Sequence, residues 1–264
     1  MKQRITPVHT ASELASARQA AQLAAEVLEM IAPHVVPGVS TAALDAICHD
    51  YIVNVQKAVP ANLGYQDYPK TILTSVNHVV CHGIPSEERI LKKGDIVNID
   101  VAVIKDGWFG DTSRMYFVGT PSILAKRLVE TTYEALRAGI AQVRPGATLG
   151  DIGHAIETVA KRAGFGVVRE FCGHGIGQTY HDAPNVLHYG NPGEGLVLEA
   201  GMLFTIEPML NAGKRQVKTL ADGWTVVTQD HSLSAQWEHM VAVTPDGHEV
   251  LTTWPNGTGS YAPV

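Results

Sequence analysis

The stretch Leu91-Lys92-Lys93-Gly94-Asp95-Ile96-Val97-Asn98-Ile99-Asp100 returns 107 residues later as Leu198-Glu199-Ala200-Gly201-Met202-Leu203-Phe204-Thr205-Ile206-Glu207. A second block, Pro37-Gly38-Val39-Ser40 with Leu44 seven residues past the proline, returns 108 residues on as Pro145-Gly146-Ala147-Thr148 with Ile152. Two matches at nearly one offset mark duplicated halves, which restricts the chain to folds with an internal pseudo-symmetry. Strand side chains alternate between faces, so Asn98 and Asp100 share one face and Thr205 and Glu207 share the equivalent face of the other half. Neither half looks self-sufficient, so residues 1–264 are read as a single domain.

Thr10-Ala11-Ser12-Glu13 reads as a capping box opening an Ala-rich amphipathic helix that stops at Pro33. A second helix is expected after Ser40, with Leu44, Ile47, Tyr51 and Val55 forming one apolar stripe. A third follows Pro121 and runs to about Val143; a fourth follows Thr148, with Ile152, Ile156 and Val159 on one face and Gly164 at its end. Strands fill the intervals, and Asp106-Gly107 and Asp222-Gly223 mark hairpin turns.

Five residues stand where a polar side chain needs a reason. Asp100 interrupts the apolar run from Ile96 to Val103, and Glu207 interrupts the run from Met202 to Met209. Carboxylates buried in strands need a compensating charge. Asp111, eleven residues after Asp100, suits the neighbouring strand across the Lys105-Asp106-Gly107 turn, where two carboxylates can meet. His174 lies between Gly173 and Gly175, which would let backbone approach a ligand and leave the imidazole accessible. Glu238 precedes the apolar strand Met240 to Val243. Four carboxylates and one neutral imidazole carry a charge of about −4, which two divalent cations cancel. Such a donor set is too hard for a thiolate zinc centre and suits Mn(II), Fe(II) or Co(II) at least as well as zinc. Two cations bridged by carboxylates roughly 3–4 Å apart activate a shared water for amide hydrolysis, so the expected reaction class is metal-assisted hydrolysis.

Bulk properties agree. A chain 45% apolar can bury a large core, and the stretch from Thr10 to Ile31, carrying Glu13, Arg18, Glu26 and Glu29, is neither a signal peptide nor a membrane span. Three cysteines, Cys48, Cys81 and Cys172, without a paired spacing favour a reducing compartment, and the protein is expected in the cytoplasm. A net charge of −6 argues against whole-surface attraction to nucleic acid, leaving Lys214, Arg215 and Lys218 as a local basic patch.

The blocks Val80-Cys81-His82-Gly83-Ile84-Pro85, Asn98-Ile99-Asp100-Val101, Gly110-Asp111-Thr112-Ser113, Cys172-Gly173-His174-Gly175-Ile176-Gly177, Phe204-Thr205-Ile206-Glu207-Pro208 and Gln236-Trp237-Glu238-His239 resemble, in order and over nearly the whole chain, type I methionine aminopeptidases. The resemblance implies the α/β (α+β) pita-bread fold, in which two pseudo-symmetric halves form a curved antiparallel sheet with helices on its outer face. It implies removal of the initiator methionine from nascent polypeptide N-termini, preferring a small second residue. Asp111 and Glu238 would bridge two divalent ions (Co, Mn, Fe(II) or Zn), His174 and Glu207 would complete one site and Asp100 the other. His82 would lie near the scissile amide nitrogen, His181 would stabilise the oxyanion, and Glu207 would also shuttle a proton. An apolar methionine pocket would draw on Tyr65, Tyr68, Tyr180 and Trp224. Asn62 and Leu73 depart from the family pattern, standing where cysteines often line that pocket, so pocket size and second-residue preference are not carried over. The resemblance further suggests an auxiliary monovalent cation near Asn77 and Ser234, and contact of the basic patch with the ribosome. A monomer is the default expectation.

Three other families of protein compete with this resemblance. Proline-specific peptidases share fold and ligands but resemble this chain only after a large N-terminal domain. Type II enzymes carry a late helical insertion, for which the interval from Glu207 to Glu238 leaves no room if it falls there. A non-catalytic binding module would have lost one of the five ligand residues, and all five are present.

Overall fold

The computed structural model describes residues 6–253. In the first half run helix α1 (Ala11–Ile31), helix α2 (Thr41–Asp50) and strands β1 (Val59–Pro60), β2 (Ile72–Val76), β3 (Val79–Cys81), β4 (Ile96–Lys105) and β5 (Trp108–Phe117). Then follow α3 (Ile123–Ile140), α4 (Leu149–Ala163) and the short strands β6 (Gly166–Val167), β7 (Gly173–Gly175) and β8 (Asp182–Val186). The chain continues through β9 (Leu203–Ile206), β10 (Met209–Asn211), β11 (Val217–Thr219), β12 (Val226–Thr228), β13 (Ser234–Gln236), β14 (His239–Thr244) and β15 (Gly247–Val250). Every ladder is antiparallel. In one sheet β4 is flanked by β5 on one side and by β1 and β2 on the other; a second runs β15-β14-β9-β7-β8, and two three-stranded sheets run β13-β10-β6 and β11-β12-β3.

The helices begin as expected. Thr10 caps α1 in a closed capping box with Glu13, Ser40 caps α2, Ser122 caps α3, and Thr148 caps α4 in a second box with Asp151. Their ends differ more. Pro33 sits in a 3-10 turn that prolongs α1, α3 stops at Ile140, and α2 gives way at Tyr51 to a π-helical turn reaching Val55. That wider turn breaks the helical period, so the predicted apolar stripe loses its last member: Val55 is 60% exposed.

The repeat is present bond for bond. Gly38 N–H donates to the Leu91 carbonyl at 2.8 Å and Gly146 N–H to that of Leu198 at 2.9 Å, with return bonds from Leu91 to Val39 and from Leu198 to Ala147, both 2.8 Å. Ser40 bridges Ile90 as Thr148 bridges Val197. Gly94 and Gly201, which precede the two matched strands, share φ 96°, a left-handed turn that a Cβ would strain.

Alternation along β4 and β9 then separates core from site. Val97, Ile99, Val101 and Val103 join Leu28, Leu44 and Ile52 in the core beneath α1 and α2, leaving Asn98 and Asp100 on the opposite face. Phe204 and Ile206 join Leu136, Ile152 and Ile156 beneath α3 and α4, leaving Thr205 and Glu207 opposite. Close approach of α1 rests on small residues: Ala17, Ala20 and Ala21 are fully buried, and at Gly110 of β5 a Cβ would collide with the Ala20 backbone. Among the described residues no helix is long and apolar enough to cross a membrane.

Candidate metal centre

Asp100 lies inside β4 and pairs across the ladder with Ser113, while Asp111 of β5 pairs with Ala102. The two carboxylates therefore face the same side on a diagonal, as the hairpin spacing implied. Glu207 falls one residue past β9, at the joint before Pro208 and β10, and not inside a strand as the apolar run suggested. Proline has no N–H to continue the ladder there. Glu238 likewise sits between β13 and β14, stitched to the first half where its N–H donates to the Ser113 carbonyl at 3.2 Å and its carbonyl accepts from the Thr112 hydroxyl at 2.7 Å. A third stitch runs from Asn98 Nδ2 to the Gln236 carbonyl at 2.8 Å.

His174 enters from β7. The glycines beside it serve a purpose other than the one expected: a Cβ at Gly173 would meet the Thr205 carbonyl, and one at Gly175 the Ala183 carbonyl, so they admit neighbouring backbone and not a ligand. The imidazole is buried rather than accessible, 7% exposed, with Nε2 at 3.4 Å from Asp111 Oδ2 and 3.7 Å from Glu207 Oε1. Asp111, His174 and Glu238 each offer a ligand atom within 4.8 Å of one another.

The electrostatics of this cluster are those of a site built for cations. Burial, then the charges of Asp111 and Glu207, push the Asp100 carboxyl well above the usual carboxylate range. Burial does the same to Glu238, reinforced by Asp111, Glu207 and Asp100. Glu207 is pushed up to about 7 by burial, with His174 opposing and Asp111 adding. Burial would lower His174, but the bond to Asp111 and the charges of Glu207 and Asp111 outweigh it and raise it. Like-charged groups enclosed together resist ionisation unless opposite charge is supplied. Asp100 Oδ1 is buried with no hydrogen-bond partner. An orphaned carboxylate oxygen beside three further acids and an imidazole fits divalent cations, and the absence of cysteine from the set fits hard, oxygen-preferring ones.

Around these five residues lie groups to which the sequence reading assigns no part in the site, although it places Thr205 on the face of Glu207. Thr205 Oγ1 accepts from the His174 backbone at 3.0 Å and donates to Glu207 Oε1 at 2.8 Å. Gln236 Nε2 donates to Glu207 Oε2 at 3.3 Å. Both lie two residues before a site acid; the period of a strand puts Thr205 beside Glu207, and the same period applied to Gln236 would have put it on the face of Glu238.

Two adjoining cavities open onto the cluster. One of about 540 Å³ holds His82, Asp100, Cys172, His174, His181 and Glu207 on its walls. The other, about 260 Å³, is lined by Asn62, Tyr65, Tyr68, Leu73, Tyr180 and Trp224 and also reaches Asp100, Asp111, Glu207 and Glu238. All four expected aromatics thus meet in one pocket, Tyr65 edge-on to Tyr180 at 4.9 Å and Tyr68 edge-on to Trp224 at 5.0 Å between ring centres. Asn62 also faces it, its Oδ1 taking the Tyr180 hydroxyl at 2.6 Å. His82 and His181 line both cavities. Burial pushes His82 down to about 4. Burial, then the neighbouring His174 and His82, pushes His181 down to about 3, with its Nδ1 at 2.9 Å from the Tyr65 hydroxyl. Both rings are neutral at pH 7 and present no competing positive charge.

A larger cavity, about 750 Å³, opens beside α4 and β6 among Glu157, Lys161, Arg169, Lys214 and Arg215. Most of its charges are paired: Glu157 bridges Lys161 and Arg169, both at 2.9 Å, and Arg215 meets Glu170 at 3.4 Å. It gathers no group of acids and histidines.

Comparison with known proteins places this geometry. Metallopeptidase family M24 matches residues 15–245. The chain is 56% identical over 245 residues to the methionine aminopeptidase of Escherichia coli (strain K12), with 93% of each chain covered. It superposes on the crystal structure of methionine aminopeptidase from Rickettsia prowazekii with a TM-score of 0.93 at 53% identity, covering 94% of this chain and 100% of that one. Prolidase from Pyrococcus furiosus shares the fold alone, with a TM-score of 0.75 at 20% identity, and this chain covers 65% of it.

Proposed function

The chain belongs to metallopeptidase family M24, and we infer that it removes the N-terminal initiator methionine from nascent polypeptides by metal-assisted hydrolysis of the first peptide bond. The observation that carries the reading is the enclosed acid cluster with its unpaired Asp100 oxygen, opening onto an aromatic pocket. In this reading Asp100, Asp111, His174, Glu207 and Glu238 would together hold two divalent ions, with Asp111 and Glu238 as the shared ligands. When bound, such ions lower the pKa of water and polarise the scissile carbonyl.

The chain's own groups do the rest. Glu207 accepts the proton of the attacking water and passes it to the departing amine; the Thr205 hydroxyl and Gln236 amide hold its two oxygens in place meanwhile. His181, neutral and set against Tyr65, donates a hydrogen bond to the oxyanion. His82, neutral between Phe171 and Trp224, stands at the amide nitrogen. Tyr65, Tyr68, Tyr180 and Trp224 pack the methionine side chain, with Asn62 and Leu73 in place of the family's frequent cysteines. Mn, Co, Fe(II) and Zn all suit the donor set. An auxiliary monovalent cation belongs to the same reading at Asn77 and Ser234, which meet where Ser234 N–H donates to the Asn77 carbonyl at 2.8 Å. A cytoplasmic monomer, working at the ribosome through Lys214, Arg215 and Lys218, completes it, although Arg215 is partly neutralised by Glu170.

The test uses protein stripped with chelator, then supplied with Mn(II), Co(II) or Fe(II), and offered Met-Gly-Met-Met and a matched Xaa-Pro peptide. Metal-dependent release of methionine with no cleavage before proline is the expected result. Cleavage of the Xaa-Pro peptide alone, or silence with every metal, would overturn it.

A further inference from the structure

Glu207 lies outside both flanking ladders, since β9 ends at Ile206, Pro208 has no N–H to donate, and β10 begins at Met209. Its backbone N–H instead donates to His188 Nε2 at 3.2 Å. His188 is completely enclosed, 0% exposed, just past the end of β8. Its segment is pinned from the helix side: at Gly153 of α4 a Cβ would collide with the Tyr189 carbonyl, so helix backbone presses on the residues flanking His188.

The hydrogen bond fixes the chemistry of the ring. A nitrogen that accepts an N–H carries no proton, so the proton of the neutral imidazole resides on Nδ1. Nδ1 is buried and has no partner. A leucine here would leave no such unpaired donor. Burying an unpaired donor is costly, and a histidine in that position is accounted for by what its other nitrogen does.

We propose that His188 is a positioning residue for Glu207: through Nε2 it holds the backbone from which the carboxylate is aimed. The side chain of Glu207 is then held at both oxygens by Thr205 and Gln236, and its main chain by His188, three supports from three separate segments. Thr205 also takes the His174 N–H, so a displaced Glu207 would disturb a second site residue. The inference rests on the reading of Glu207 as ligand and proton carrier. Groups that orient a ligand typically cost about 10–100-fold in metal affinity when removed.

The experiment compares His188→Leu, which keeps bulk and loses the acceptor, with His188→Gln, whose side-chain oxygen reaches about where Nε2 stands. Calorimetric titration of the metal-free proteins with Mn(II), steady-state methionine release and thermal melting are measured together. Expected for His188→Leu is metal affinity weakened by about 10–100-fold and a similarly lowered kcat, with KM little changed. His188→Gln is expected to recover most of both. Equal values for wild type and His188→Leu would overturn the proposal; so would equal losses in the two variants accompanied by equal falls in melting temperature, which would mark a packing role. Nitrogen-15 shifts of the metal-free wild type give a readout independent of activity: a protonated Nδ1 and a bare Nε2 are expected, and the opposite tautomer would overturn the proposal. If wild type itself takes up no metal and releases no methionine, the functional reading fails, while the tautomer still decides whether His188 holds Glu207.

Discussion

Glu207→Gln separates two roles that one carboxylate fills at once. As proton carrier its loss lowers methionine release by about 10²–10⁴-fold. As a member of a crowded acid cluster pushed up to about 7, its replacement by a neutral isostere relieves repulsion in the metal-free protein. The expected pair of outcomes is a fall in kcat and, at pH 8 without metal, a rise in melting temperature; a fall in both would contradict the electrostatic account. Tyr180→Phe is a smaller probe of the pocket wall. It strands the Asn62 oxygen that now accepts at 2.6 Å and costs about 1–3 kcal/mol, read by denaturant titration. Legibility at this scale was uneven. Asp100 and Glu207 stood out because each broke an apolar run and His174 because it sat between glycines, while Asp111 was read from its spacing to Asp100 and Glu238 only from the ensemble; the structure brings the five together. His188, and the partners that Gln236 and Asn62 would find, were silent because a polar residue in a loop or strand end is ordinary until its partner is known.

Between elements, what the sequence conveyed was which face is which, and what it withheld was how close the elements come. The alternation of Val97, Ile99, Val101 and Val103 with Asn98 and Asp100 was readable directly. The contact of α1 with β5 was not, since nothing in Gly107-Trp108-Phe109-Gly110 announces that Gly110 is where a helix backbone touches a strand. Gly110→Ala tests that contact. Because the atom in the way is the backbone of Ala20 and not a movable side chain tip, the variant is expected to lose about 1–3 kcal/mol. For a domain of this size that is a fall of about 2–4 °C in melting temperature per kcal/mol, measured by calorimetry. Helix ends were misjudged for a related reason. The π-helical turn at Tyr51–Val55 follows from packing, and no cap or breaker in the sequence marks it.

Across the whole molecule, the acid cluster makes stability depend on pH in a direction that metal should reverse. Asp100, Glu207 and Glu238 all have folded pKa values above those of free carboxyls, so the folded state binds more protons than the unfolded one. Stability from this source is fully present below the unfolded carboxyl range of about 4 and is lost as pH rises through the folded values, that of Glu207 being about 7. Chelator-treated protein is therefore expected to melt at lower temperature at pH 8 than at pH 6, and Mn(II) to shrink that difference, by differential scanning fluorimetry. An unchanged alkaline fall with metal bound would argue that the cluster is not where the metal goes. The repeat bears on the same point. Asp100 and Asp111 come from the first half, and His174, Glu207 and Glu238 from the second. If the chain were cut in the connection between β5 and α3, each fragment would keep a hydrophobic core and a fraction of the donors. Their reassembly, followed by gel filtration, would then respond to the concentration of free Mn(II), so that an ion recruited for hydrolysis would double as the latch of a two-piece protein.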